Sequence, residues 1–209
     1  MKLFDYARSS AATRVRIALA LKDLPYTSAP IHLLEDGGQH HSAAYKNVNP
    51  QELVPALDID GAPLTQSLAI IEYLDEIKTD PPLLPHTALD RARVRAMALC
   101  VATDIHPIQN LRVLNYLRGP LSQSEDAVAT WARHWILQGL QALEKLTARV
   151  RAQGTYCFGD TVTLADICLA PQMVNARRFD CDTTTVPRLV AIDDALRALP
   201  AFAESLPSA

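Results

Sequence analysis

Three short stretches combine hydroxyls, amides and turn-prone backbone in ways that could hold an anion or a thiol. In the first, Arg8, Ser9 and Ser10 stand between an apolar run ending at Tyr6 and the amphipathic run 14–19. Serines just ahead of an apolar-periodic run are good helix caps. A helix start also gathers unpaired N–H groups and the positive end of the macrodipole. A hydroxyl there can donate to an anion that this field already favours, so simple capping and anion binding are both compatible with Ser9 and Ser10. The second stretch is Val54-Pro55. A proline at a strand entry cannot donate to the ladder and is expected at a sheet edge. If the bond before it is cis, Val54 turns its N–H and C=O outward, where an extended peptide could pair with them. The third is Gln66-Ser67, ahead of the periodic run 68–74. Ser67 at a helix start offers a hydroxyl, an N–H and the dipole to a carboxylate, and Gln66 adds an amide. Each stretch alone has a plain structural reading: a cap, an edge proline, another cap. Together they suit a small peptide carrying a thiol and carboxylates.

These residues must be held by a compact set of elements. The run 2–6 reads as a strand and the following stretch as a helix. The short link Lys22-Asp23-Leu24 leads to a second strand over residues 25–33, which makes a right-handed βαβ unit natural. Residues 34–41 are polar and glycine-containing, a loop, and a short helix through 42–45 stops before Asn49-Pro50. Asp60-Gly61 between apolar runs signals a hairpin. With the helix after Ser67, the order β-α-β-α-β-β-α gives a small mixed sheet, a thioredoxin-like α/β domain over residues 1–80. The proline-rich stretch 79–85 is the expected boundary, with 81–86 as linker. Residues 87–209 read as an all-α domain. One long helical pattern runs from Asp90 to Asn115, interrupted at Pro107. A second runs from Gln123 to Gln153, with Trp131, Trp135, Leu140, Leu143 and Leu146 as core. Thr163-Leu164-Ala165-Asp166 has the form of a capping box, with Asp in place of the usual Glu, and Leu189–Leu199 supplies a last helix.

Composition narrows the functional classes. The 209 residues are 49% hydrophobic and 21% charged, as in an ordinary globular protein. A net charge of −3 argues against a nucleic-acid partner, which would call for a basic face. No apolar run approaches the roughly 20 residues of a membrane helix, and the N-terminus has no signal-peptide core, so a cytoplasmic location is expected. Cys100, Cys157, Cys168 and Cys181 show no zinc-ligand spacing and are expected to be structural thiols. The adjacent pair His40 and His41, in a glycine-rich loop, is expected to be solvent-exposed, and no metal site is expected.

The ordered set of motifs resembles the zeta-class glutathione transferases, and within them the maleylacetoacetate and maleylpyruvate isomerases. The resemblance is carried by Ser9-Ser10-x-x-x-Arg14-Val15-Arg16-Ile17-Ala18-Leu19, by Asn49-Pro50-x-x-x-Val54-Pro55-Ala56-Leu57 and by Gln66-Ser67-x-Ala69-Ile70-Ile71-Glu72-Tyr73-Leu74. It continues through Asp104–Asn110, 156–166, Pro171-Gln172 and Ala176–Phe179, which covers nearly the whole chain. It implies a glutathione transferase fold, a homodimer, glutathione as cofactor and a small dicarboxylate as substrate. The family's thiol-activating serine falls on Ser9, with Ser10 beside it. Val54, at Pro55, would hold the glutathione backbone, and Gln66 and Ser67 its γ-glutamyl end. His106 and Asn110 match glutathione-facing positions, and Arg8 and Arg177 match arginines that bind substrate carboxylates. The activity implied is glutathione-dependent cis–trans isomerisation of maleylpyruvate or maleylacetoacetate in the breakdown of aromatic compounds.

Two positions depart from the family's pattern. Many zeta enzymes have Ser-Ser-Cys where this chain has Ala11, which leans toward the maleylpyruvate-type branch and away from any side activity that uses that thiol. Leu111 stands where relatives can carry an arginine, with Arg112 next to it. Tyr6 competes with Ser9 for thiol activation, since other transferase classes use a tyrosine at the end of the first strand; Ser9 ranks above it. Without the resemblance, Arg8 reads as a solvated loop arginine, Arg177-Arg178 as a surface pair, and His106 as a helix-end residue. A general transferase for electrophiles and a non-catalytic glutathione-binding module are the competing functions.

Overall fold

The computed structural model describes residues 1–150 and 153–207. They form two compact units: Met1–Pro82 together with the chain from Glu204 onward, and Leu83–Ala203.

In the first unit, β1 (Lys2–Asp5), β2 (Thr27–Pro30), β3 (Ala56–Ile59) and β4 (Ala62–Thr65) form one sheet in the order β2-β1-β3-β4. β1 runs parallel to β2 and antiparallel to β3, and β3–β4 is the hairpin expected at Asp60-Gly61. Both turn residues take positive φ, 52° and 89°, as a two-residue turn matched to strand twist requires. Helices α1 (Ser10–Leu21), α2 (Ala43–Val48) and α3 (Ser67–Ile77) complete the expected order. α1 buries Val15, Ala18 and Leu19 and packs against α3, which buries Ile70, Ile71 and Leu74. Leu3 faces this layer and is fully buried, opposite Leu57 in the register. Side chains alternate along a strand, so Phe4 points to the other face, where its ring meets Tyr45 of α2 edge-on at 5.8 Å.

Several expectations need correction here. The second strand pairs only over Thr27–Pro30; the Ile31 N–H gives one more bond to the Asp5 carbonyl, and the His32 N–H is then taken by the Gln39 side chain at 2.8 Å. That bond folds the supposed loop into 3-10 turns at Glu35–Gly37 and Gln39–His41. Within them His41 is exposed and paired with Glu52, but His40 is half-buried against its ring, so only one of the two histidines is solvent-facing. Pro55 does not open an edge strand, since β3 lies between β1 and β4. It sits just ahead of the first paired residue, Ala56, where a missing N–H removes nothing from the ladder. The Val54–Pro55 bond is cis. Lys22 is also inside: its Nζ, fully buried, donates to Asp75 (2.6 Å) and to the carbonyls of Lys78 and Pro81, tying the end of α1 to the end of α3.

The second unit contains α4 (Ala88–Leu99), α5 (Leu111–Arg118), α6 (Glu125–Ala148), α7 (Leu164–Arg178), α8 (Pro187–Arg197) and α9 (Pro200–Ala203). The pattern expected over 90–115 is interrupted around Pro107, as that residue suggested, but over a wider stretch. α4 widens into a π-helical turn at Cys100–Ile105 and the helix resumes only after Asn110, which caps α5. Pro107 has no N–H to carry the ladder across the gap. In α6 the buried stripe is Val128, Ala132, Ile136, Leu140, Leu143 and Thr147. Trp131 and Leu146 lie off it and are 36% and 37% exposed, and Trp135 is half-buried, so those three are not the core they were expected to be. α6 ends at Ala148; of the pattern expected to Gln153, residues 151 and 152 lie outside the described residues. The capping box at α7 forms: the buried Asp166 carboxylate accepts from Thr163 N, Thr163 Oγ1 and Cys157 N, each at 2.8 Å. The start of α8 is capped from α6, where Glu144 accepts from Arg188 N and Leu189 N.

Leu83 and Leu84, placed in a linker by sequence, are buried, and the Leu83 carbonyl accepts from Leu164 N. Cys157, Cys168 and Cys181 are buried and Cys100 partly so, all as free thiols. Burial pushes Cys157 well above the usual thiol range and Cys181 up to about 11. Among the described residues no helix is long and apolar enough to cross a membrane, and no group of His, Cys, Asp and Glu has a metal-binding arrangement.

Candidate active site

The turn after β1 is held from several sides. Ser9 N donates to the Tyr6 carbonyl at 2.9 Å, and Ser9 is the N-cap of α1, its Oγ accepting from Ala12 N at 3.3 Å. A hydroxyl has one hydrogen and two lone pairs, so capping leaves the Ser9 hydrogen for another partner, at the positive end of α1. The capping and anion-binding readings of Ser9 are therefore compatible. Ser10 is the first helical residue and is buried, whereas Arg8 is exposed beside Ser9. Tyr6 is half-buried with its ring edge-on to His32 at 4.9 Å, a packing role.

Beneath this turn lies Arg16. Its NH1 meets both oxygens of Asp5 at 2.7 Å, and NH2 donates to Thr13 Oγ1 (2.7 Å), to the Ala7 carbonyl (3.1 Å) and to the Ser205 carbonyl (3.0 Å). One guanidinium thus binds the end of β1, the residue before Arg8, the first turn of α1 and the C-terminal segment. That last contact places residues from Glu204 with the first unit rather than with the helical domain expected to reach 209.

At the start of α3 the expected roles shift by one residue. Gln66 is the N-cap, at φ 70°, and makes no side-chain cap; its Nε2 donates to Gln51 Oε1 at 2.8 Å. Ser67 is the first helical residue, 7% exposed, and its Oγ accepts from NH1 of Arg14 at 3.3 Å. Neither α1 nor α3 has an acidic residue in its first turn, which suits both helix starts to an anion. Val54 lies two residues before β3, beyond the last paired position of the sheet. Arg14 and Arg16 were not assigned roles from sequence. The signal for Arg14 was its place in the apolar stripe of α1, in line with Ile17 and Ala18.

His106, Asn110 and Arg177 belong to the second unit. His106 follows the π-helical turn, and Asn110 Nδ2 and His106 Nε2 are 3.3 Å apart. Asn110 Oδ1 accepts from Arg112 N, and Arg112 itself is exposed. Arg177 is exposed at the end of α7 and ion-paired at 2.8 Å with the buried carboxylate of Asp193, which also accepts from Arg197. Arg178 lies over the Phe179 ring.

Comparison with known proteins places this geometry. The family of glutathione S-transferase N-terminal domains matches residues 3–82. A probable maleylacetoacetate isomerase of Vibrio cholerae is 50% identical over 98% of this chain and 94% of its own length. The holo structure of a maleylpyruvate isomerase, a bacterial zeta-class glutathione transferase, superposes with a TM-score of 0.96 at 47% identity, over 99% of this chain and 97% of that one. A maleylacetoacetate isomerase from Anaeromyxobacter dehalogenans 2CP-1, with dicarboxyethyl glutathione and citrate bound in its active site, has a TM-score of 0.85 at 39% identity, over 99% of this chain and 94% of that one. The chain belongs to the zeta-class glutathione transferase family that includes the maleylacetoacetate and maleylpyruvate isomerases.

Proposed function

We propose that this protein is a glutathione-dependent cis–trans isomerase acting on maleylpyruvate or maleylacetoacetate. The observation that carries the reading is the pair of serine hydroxyls at two helix starts free of acidic residues, Ser9 on α1 and Ser67 on α3. Such a pair can stabilise a thiolate at one end of a tripeptide and hold a carboxylate at the other. Glutathione supplies a nucleophilic sulfur that adds to the conjugated carbon and leaves again after rotation about the former double bond, so it is not consumed. Ser9 donates its free hydroxyl hydrogen toward the sulfur, and the α1 dipole lowers the thiol pKa further. Ser10 is adjacent support. Val54, ahead of Pro55, offers main-chain groups to the peptide, and Gln66 and Ser67 take the γ-glutamyl end. Arg8, one residue from Ser9, presents an exposed fork suited to a substrate carboxylate. His106 and Asn110 toward glutathione, and Arg177 toward the second carboxylate, are assigned by family resemblance, as are a homodimer and a cytoplasmic setting for aromatic-compound catabolism.

One observation favours a second reading, a transferase for uncharged electrophiles: Arg177 already donates to Asp193. A spectrophotometric assay of maleylpyruvate and maleylacetoacetate, each with and without glutathione, separates the two. Glutathione-dependent loss of a cis acid is expected. Turnover of chlorinated aromatics with none of either maleyl acid would move the assignment to the second reading.

A further inference from the structure

Arg14 is a cation where the helix pattern calls for an apolar residue. It is 1% exposed, within the buried stripe of α1, and its NH1 reaches Ser67 Oγ at 3.3 Å across 53 positions of sequence. A guanidinium carries only N–H groups and always donates, whereas a serine hydroxyl has one hydrogen and two lone pairs. With one Ser67 lone pair held by Arg14, one lone pair and the hydrogen remain, and of these only the hydrogen can bond a carboxylate. Accepting from Arg14 restricts the rotation of the hydroxyl and biases Ser67 toward donating. Without Arg14 the hydroxyl could rotate and accept instead, which would be worthless to an anion.

We infer that Arg14 is a positioning residue for glutathione recognition: it biases Ser67 toward donating to the α-carboxylate of the γ-glutamyl residue and sets a permanent positive charge one hydroxyl behind it. The inference rests on the reading that glutathione binds at the start of α3. Gln66 is less suited to this work, since it is exposed and its amide is engaged by Gln51. The family motif is thereby divided between two arginines with different tasks: Arg16 holds the turn that carries Ser9, and Arg14 orients the hydroxyl at the other end of the tripeptide.

Calorimetric titration of the full-length protein tests this with two ligands. One is S-methylglutathione, whose blocked sulfur removes thiol chemistry from the comparison. The other is the same compound with a γ-aminobutyryl group in place of γ-glutamyl, which lacks only the α-carboxylate. Arg14→Met and Ser67→Ala should each weaken S-methylglutathione about 10- to 100-fold, the worth of a charged hydrogen bond. Neither should change affinity for the carboxylate-free analogue, and the double variant should bind no more weakly than the weaker single one. Equal weakening of both ligands by Arg14→Met, or losses that simply add in the double variant, would overturn the inference and leave Arg14 as packing. If Arg14→Met does not fold, Arg14→Lys, which keeps a cation and a donor, should retain the preference for S-methylglutathione. A folded Arg14→Lys that binds both ligands alike would overturn it. Wild-type protein that binds both ligands equally removes this inference alone, whereas wild-type protein that binds neither removes the glutathione reading with it.

Discussion

Ser9 caps α1 and, in the proposed function, also activates the thiol; replacing it by glycine or alanine separates the two tasks. As the N-cap of α1 it accepts from Ala12 N at 3.3 Å. Losing such a cap to alanine costs about 0.5–2 kcal/mol, and this long contact belongs near the low end; glycine at an N-cap costs only about a few tenths of a kcal/mol. Both replacements remove the hydroxyl. A hydrogen bond to a charged group is worth about 1.5–3 kcal/mol, and one pKa unit corresponds to about 1.4 kcal/mol. The thiol of bound glutathione should accordingly rise by about one to two pKa units in either variant, with turnover at neutral pH falling about 10- to 100-fold. Because the thiolate is the active form, the lost activity should return as the pH rises toward the new pKa. The assay is an ultraviolet thiolate titration of the glutathione complex, run beside turnover against pH and thermal unfolding. Ser9→Gly should melt close to wild type yet lose turnover, and Ser9→Ala should lose both. An unchanged thiol titration and unchanged turnover in Ser9→Gly would refute the reasoning and send activation to Ser10 or Tyr6.

Arg16→Lys keeps a charge but cannot span Asp5, Thr13, Ala7 and Ser205 together. Turnover should fall about 10- to 100-fold from a misplaced turn, as steady-state kinetics would report, with S-methylglutathione affinity nearly unchanged. Lys22→Met strands Asp75 and two carbonyls. Removing one partner of a buried pair costs about 3–5 kcal/mol, so calorimetry should find a melting point lower by roughly 6–20 °C, with normal turnover per folded molecule. Arg177→Ala should raise KM for the maleyl acid about 10- to 100-fold and spare glutathione binding, measured by steady-state kinetics and titration. Burial holds the His40 imidazole below the ordinary 6.5, with the neighbouring His41 charge adding to the effect. A depressed pKa means that the unfolded state binds more protons, so stability present above 6.5 is lost as the pH falls through the folded-state value. Protection factors for the amides of residues 38–41, from which the intrinsic pH dependence of exchange is removed, should fall from about pH 7 to about pH 5, and His40→Gln should flatten that fall.

Local chemistry made several structural features legible in the sequence itself. Asp60-Gly61, the serine at the start of α1 and the Thr163–Asp166 box signal structure through contacts only a few residues away, and each formed. What sequence reading missed depends on partners distant along the chain. Arg14 and Lys22 lie on a buried helix face because Ser67 and Asp75, each 53 residues later, meet them there; hydropathy alone puts arginine and lysine in solvent. Trp131 looked like core by size, yet the α6 stripe runs through smaller neighbours such as Ala132, and the indole instead donates to the Ile108 carbonyl at 3.0 Å. The place of Pro55 ahead of a central strand could not be read locally either, since strand order is decided by pairing rather than by the proline. Nor could the return of Ser205 to Arg16, across 189 positions.

The central claim is that glutathione acts here as a catalyst and is returned intact. Proton magnetic resonance of one reaction mixture, following the cis acid, the trans acid and free glutathione together, tests it most directly. The account predicts that trans acid appears one for one with the cis acid lost while glutathione stays constant. Steady loss of glutathione into a stable conjugate, with no trans acid formed, would contradict it.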